Sequence, residues 1–257
     1  MMNLLKLREQ IKAYRKDGMV HFIEHDGEGL WLKTAGEEKR NLLRVMSFKL
    51  SHFTPFQFFK VNSILAPRER LKLEIENIQA MKKANMAVPD IVLVGEDYFV
   101  TRNSGTMLTQ LKLGQENVKK LYMLVFSTLA GFHQNDCYHG RPALRDIIVS
   151  DKGVITFIDF EESGFNNSQL MARDVFILLM DTSRIEALSD GDKFACLNEW
   201  ADNVPNELVG ELESIYKKAK RLTVVANLVL KFKDNKTSLH FLSSVSVLGD
   251  FFEKYES

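Results

Sequence analysis

The chain has 257 residues, 45% of them apolar and 26% charged, with 34 basic against 34 acidic side chains and no net charge. That length and composition suit one globular unit of two lobes or two small domains, and the neutral balance leaves no global basic field for nucleic acid. Two cysteines, Cys137 and Cys196, are too few for a disulfide framework and stand at no metal-ligand spacing. Buried, inert thiols in a reducing cytosol are expected.

Residues 3–14 read as an amphipathic helix. Charges interrupt every apolar run of the first 18 residues, so no signal peptide is predicted, and no 18-residue apolar stretch predicts a membrane span. Val20 to His25 and Leu30 to Thr34 read as two strands joined by a tight turn at Asp26-Gly27-Glu28-Gly29. Lys33 ends the second strand. A lysine there is usually a solvated edge residue. Gly18 stands alone before it, so no glycine-rich phosphate loop precedes Lys33. Residues 37–66 mix Arg40, Arg44, Lys49 and Lys60 with Phe48, Phe53, Phe56, Phe58 and Phe59. Such a segment suits either an extra packed helix or a membrane interface.

Over residues 68–85, Leu71, Ile75, Ile78 and Met81 recur at the helical period. Glu74 lies within that stripe, where a carboxylate is costly unless paired. Lys33 is its candidate partner; the alternative places Glu74 at the stripe's edge, reaching water. Ile91 to Val94 and Tyr98 to Arg102 read as a further strand pair. A helix over 115–135, with Leu121, Leu124, Val125, Thr128 and Phe132 on one face, leads to His139. His133 and His139 are read as packing and hydrogen-bonding residues.

From His139 the chain reads HGRPALRDIIVSDKGVITFIDFEE. Asp146 and Asp159 are 13 residues apart, room for two strands around a turn at Asp151-Lys152-Gly153. Carboxylates at the ends of adjacent strands suit Mg²⁺, a hard cation that takes oxygen ligands. Alternatively, Asp146 caps its strand and Asp159 pairs with Arg141 or Arg145. Arg173-Asp174 opens an apolar helix. Residues 190–203, 207–231 and 237–255 read as three more helices, anchored by Trp200, Leu228, Phe241 and Phe251.

This ordered set resembles the protein-kinase-like superfamily, and within it the bacterial lipopolysaccharide core kinases, over residues 18–185. His139 stands at the histidine of the H-R-D-L-x-x-x-N loop, Asp146 at its metal-binding Asn, and Asp159-Phe160-Glu161 at D-F-G. Leu30 to Lys33 resembles the V-A-I-K strand, so the resemblance implies that Lys33 holds ATP phosphates and pairs with Glu74. Val100 and Arg102 fall at the strand leading into the hinge, whose backbone would bond adenine. Arg173-Asp174 resembles the A-R-D segment that braces the loop. The chain departs from the family at Arg141, which stands where the catalytic-base Asp is kept. A guanidinium cannot act as a base. It could stabilise the transferred phosphoryl, as could Arg145, while Glu161 or Glu162 orients the acceptor hydroxyl.

The expected fold is therefore α+β and bilobal. Residues 1–102, with the insert at 37–66, form a small lobe with an antiparallel sheet. Residues 103–257, with the catalytic loop at 139–162, form a helical lobe. The expected function is an ATP- and Mg²⁺-dependent phosphotransferase, with Arg141, Asp146 and Asp159 catalytic, Asp146 and Asp159 on the metal, and Lys33, Glu74, Val100 and Arg102 around the nucleotide. Its acceptor would be a hydroxyl of an envelope glycolipid or sugar. The protein would be cytoplasmic or peripheral on the inner face of the membrane, with no nucleic-acid partner. The competing expectation is a pseudokinase that binds nucleotide or partner without turnover.

Overall fold

The computed structural model describes residues 2–14, 20–35, 65–112 and 114–255. Gly18 and nearly all of the basic-aromatic insert lie outside the described residues. The chain opens with helix α1 (Leu4–Tyr14) and strands β1 (Val20–His25) and β2 (Glu28–Thr34). Asp26 and Gly27 have φ of 49° and 78°, so a two-residue turn closes the hairpin with His25 opposite Glu28. The turn is shorter than expected because Glu28 and Gly29 pair as part of β2.

Helix α2 (Pro67–Lys83) begins on a proline, whose missing N–H costs nothing in a first turn, and Glu69 accepts the Ala66 N–H at 3.2 Å. Asn85, at φ 57°, turns the chain beyond its end. Strands β3 (Ile91–Val94) and β4 (Tyr98–Arg102) complete an antiparallel sheet of order β1-β2-β4-β3. Successive side chains of a strand point to opposite faces. On one face Ile23, Leu30, Leu32 and Val100 pack with Leu7 and Ile11 of α1 in a small core. On the other, Phe99 stands opposite Lys33 and joins Leu71, Ile75, Ile78 and Met81 of α2 in a much larger core.

The rest of the chain is mainly helical: β5 (Thr106–Met107), α3 (Gln115–Gln134), β6 (Cys137–Tyr138), β7 (Ile147–Val149), β8 (Ile155–Phe157), β9 (Gly164–Phe165), α4 (Ser168–Thr182), α5 (Asp190–Ala201), α6 (Asn206–Phe232) and α7 (Lys236–Tyr255). Strands β5, β7 and β8 form a second antiparallel sheet and β6 pairs with β9. Two of these helix starts are capped by side chains. Asn167 accepts the Leu170 N–H at 3.0 Å, and Ser189 and Asp192 cap each other reciprocally. The molecule is a mixed α+β protein with small antiparallel sheets. Its larger core runs without a break from α2 through Phe126, Phe132, Phe157 and Phe160 to Trp200 and Phe251. Among the described residues no helix is long and apolar enough to cross a membrane.

Candidate functional site

Alternation along β2 decides where Lys33 points. Leu30 and Leu32 face α1, so Trp31 and Lys33 face the other way, toward α2. The apolar stripe of α2 carries Glu74 to meet it, only 2% exposed. Lys33 Nζ donates to Glu74 Oε1 at 2.8 Å and to Asp159 Oδ1 at 2.7 Å. One ammonium therefore bridges two carboxylates that are 85 residues apart in sequence. Burial opposes the charge on Lys33, yet the two carboxylates outweigh it and hold its pKa above the ordinary value. Burial pushes Glu74 up to about 7 despite the pull of Lys33. Asp159 also loses water, but Lys33 prevails there and its pKa is lowered. With two carboxylates on one ammonium, the buried Glu74 is the one that takes a proton most easily.

Asp159 sits just past β8 with φ 69°, in the left-handed region that costs a non-glycine residue energy. Its side chain is 41% exposed. Among the described residues Lys33 bonds its Oδ1. Two further residues of α2, one turn either side of Glu74, hold the same segment. Arg70 Nη1 bonds Glu161 Oε2 at 3.2 Å, and Asn77 donates to the carbonyls of Phe160 and Ser163 at 3.3 and 3.1 Å. Positions 70, 74 and 77 lie on one helix face, so α2 is tied to residues 159–163 along three consecutive turns.

The loop before β7 is fixed from α4. Asp174, fully buried, accepts the His139 N–H at 2.6 Å and the Gly140 N–H at 3.0 Å. Arg173 donates to the Gly140 carbonyl, and Asp181 accepts the Leu144 N–H at 2.8 Å. Gly140 has φ 95°, and a Cβ there would lie 2.2 Å from the Glu162 carbonyl oxygen, so only glycine fits. His139 Nε2 lies 2.9 Å from the Ile158 carbonyl, which fixes that nitrogen as the protonated one; burial keeps the ring neutral by lowering its pKa. Trp200 Nε1 donates to His133 Nδ1 at 2.9 Å. Both histidines are therefore packing and hydrogen-bonding residues.

Asp146 closes this loop, its backbone carbonyl accepting the Ile158 N–H at 2.8 Å. Burial first, and then the Asp159 carboxylate, push its pKa from the ordinary 3.8 to about 6. Its nearest cation is the exposed Arg145, with Nε at 3.6 Å. A carboxylate whose nearest counter-charge is the exposed Arg145, beside a second one that is partly exposed, is a donor set suited to an oxygen-seeking divalent cation. Among the described residues no cluster of three or more His, Cys, Asp or Glu forms a dedicated cage.

The strain on Asp146 is testable. Its folded pKa lies above 3.8, so its ionisation costs the native state increasingly from pH 3.8 to about 6 and by a constant amount above that. Asp146→Asn should therefore raise stability near neutrality by about 1–3 kcal/mol, and the gain should vanish below pH 4. Thermal melts across that range check it. A destabilised variant at pH 7.5 would mean that the carboxylate is held by partners rather than strained.

Not every expected residue joins the cluster. Val100 and Arg102 lie on the opposite face of the sheet. Val100 is fully buried under α1 between β2 and β3, and Arg102 pairs with Glu28 at the far end of β2. The register across the sheet puts Phe99 opposite Lys33. Arg141 is exposed and makes no hydrogen bond or ion pair among the described residues. Asp159 pairs with Lys33 rather than with Arg141 or Arg145. Glu161 is taken up by Arg70. Sequence reading passed over Arg70 and Asn77, which the spacing from Glu74 on one helix face could have flagged. It also passed over Trp31. This side chain is 41% exposed on the Lys33 face, packs edge-on against Phe22 at 5.1 Å, and donates to Asn103 at 3.2 Å.

No family model matches the chain. An uncharacterised protein of Haemophilus influenzae is 24% identical over 189 residues, covering 71% of this chain and 70% of its own length.

Proposed function

We propose that this protein is an ATP- and Mg²⁺-dependent phosphotransferase with a protein-kinase-like fold, acting on a hydroxyl of an envelope glycolipid or its sugar precursor. The observation that carries the reading is the bridge from Lys33 Nζ to both Glu74 and Asp159. Phosphoryl transfer by such folds is catalysed mainly by positioning and by neutralising charge. A lysine held charged by two carboxylates, on the sheet face away from α1, is a fixed cation for phosphate oxygens. The strand order β1-β2-β4-β3, with α2 between β2 and β3, and the loop braced by Asp174 support the same fold reading. The acceptor rests on the likeness of the His139–Glu162 segment to lipopolysaccharide core kinases.

In this reading Lys33 binds the phosphates, Glu74 fixes Lys33, and Asp146 and Asp159 hold the metal. Mg²⁺ would neutralise the developing phosphate charge. Trp31 and Phe22, about two residues' rise from Lys33 on the same face, offer an aromatic surface for the base. Arg141 supplies positive charge where a base would otherwise stand.

That last position also favours the second reading, a nucleotide-binding module without turnover, since the exposed Arg141 replaces the group that would accept the hydroxyl proton. Arg141→Asp separates the two. If Arg141 stabilises the transferred phosphoryl, the variant should lose about 10²–10³ in turnover, followed by ATP consumption and mass spectrometry of the acceptor. A gain in turnover would show a decayed active site restored. Nucleotide binding with no turnover in either form, across candidate acceptors, would establish the binding module.

A further inference from the structure

Helix α6 changes character along its length. Its first part buries Leu208, Val209, Leu212, Ile215 and Ala219, but past residue 219 Ala226 is its one buried side chain. In the last nine residues five large apolar side chains face solvent: Val224, Val225, Leu228, Val229 and Phe232, the first 73% and the last 83% exposed. At about 100° per residue they share one face, roughly opposite the buried stripe. Tyr255 at the end of α7 bonds Asn206 at the start of α6, at 3.4 Å, so the two helices run antiparallel and this patch is the tip of their hairpin. Leu239, at 48% exposure, extends it onto α7. Charge is concentrated at the same place. Residues 224–239 contain Lys231, Lys233 and Lys236 against Asp234, and Lys218, Lys220 and Arg221 continue the positive charge along the preceding turn of α6 in a chain whose total is zero.

We propose that the tip of the α6–α7 hairpin is a docking surface for an anionic lipid bilayer. Exposed apolar side chains ringed by lysines match an interface in which the hydrocarbon enters the headgroup boundary and the ammonium groups meet lipid phosphates. The charge argues against a second copy of the chain, since two such tips would bring lysines against lysines. The apolar face argues against nucleic acid, which would use the lysines and leave Leu228 and Phe232 wet. The surface shares no residue with the Lys33 cluster, so it stands whether or not that cluster binds nucleotide.

Co-sedimentation with vesicles tests it. The full chain should bind vesicles of phosphatidylglycerol and phosphatidylethanolamine, release them as salt rises, and ignore vesicles of phosphatidylcholine. Lys231→Gln with Lys233→Gln should weaken binding about fivefold for each lysine removed. Leu228→Ser with Phe232→Ser should abolish binding while leaving the charge unchanged. All four side chains are exposed, so the melting temperature should not fall. Three results would overturn the proposal: no binding to anionic vesicles, full binding by the serine variant, or a wild-type dimer in light scattering that the serine variant dissolves. Tighter binding to duplex DNA than to vesicles would do the same.

Discussion

Lys33→Met should cost nucleotide affinity about tenfold to a hundredfold, the worth of one charge-assisted bond to phosphate, while the protein still folds. Methionine keeps the aliphatic stem and removes only the cation. Two carboxylates then face each other without it. Glu74, 2% exposed and already pushed up to about 7, takes a proton rather than remaining buried and charged. Asp159 turns its exposed side to water. The stability cost is therefore held to roughly 1–3 kcal/mol, below the 3–5 of an uncompensated buried ion pair. Adding Glu74→Gln to the same chain should recover most of that stability and none of the affinity. If the double variant binds nucleotide like wild type, Lys33 is a structural cation and the site lies elsewhere.

Asp174→Ala should be the most damaging single change to the loop. Its carboxylate is fully buried and accepts two backbone N–H groups, from His139 and Gly140. Alanine leaves both donors buried and unpaired, at about 1–3 kcal/mol each. Together with the cavity, the loss should reach about 3–5 kcal/mol, or about 10 °C in melting temperature for a chain of this size. Asp174→Asn keeps one acceptor oxygen and should cost about half as much. The loop carries Asp146, so the variant should also lose the Mg²⁺-dependent stabilisation that the proposed function expects of wild type. A melting point unchanged by Asp174→Ala would mean that Arg173 and Asp181 hold the loop without it.

The parts of this architecture that sequence makes legible are those set by local period. The stripe Leu71, Ile75, Ile78 and Met81 specifies α2 and puts Glu74 inside it, where a buried carboxylate calls for a cation; the structure supplies Lys33 at 2.8 Å. The three C-terminal helices fall within three residues of their expected bounds for the same reason. The frame from His139 to Asp159 orders two strands around a turn, and β7 and β8 occupy it. What sequence withholds is register between distant strands. Nothing local to Tyr98–Arg102 says that Phe99, not Val100, stands opposite Lys33, and a slip of one residue moves every side chain to the other face. The ties from Arg70 and Asn77 to residues 160–163 are equally non-local, since each joins a helix to a loop more than 80 residues away. The positive φ of Asp159 is likewise imposed by its surroundings, because aspartate has no need of that conformation.

The most direct test of the account is a calorimetric titration of the full wild-type chain with ATP, in the presence of Mg²⁺ and again with the metal chelated. One saturable site per chain is expected, with affinity that falls when Mg²⁺ is removed, because Asp146 and Asp159 then repel the phosphates unscreened. No saturable binding at millimolar ATP, or binding that chelation leaves unchanged, would contradict the assignment of the Lys33–Glu74–Asp159 cluster and Asp146 as a metal-nucleotide site.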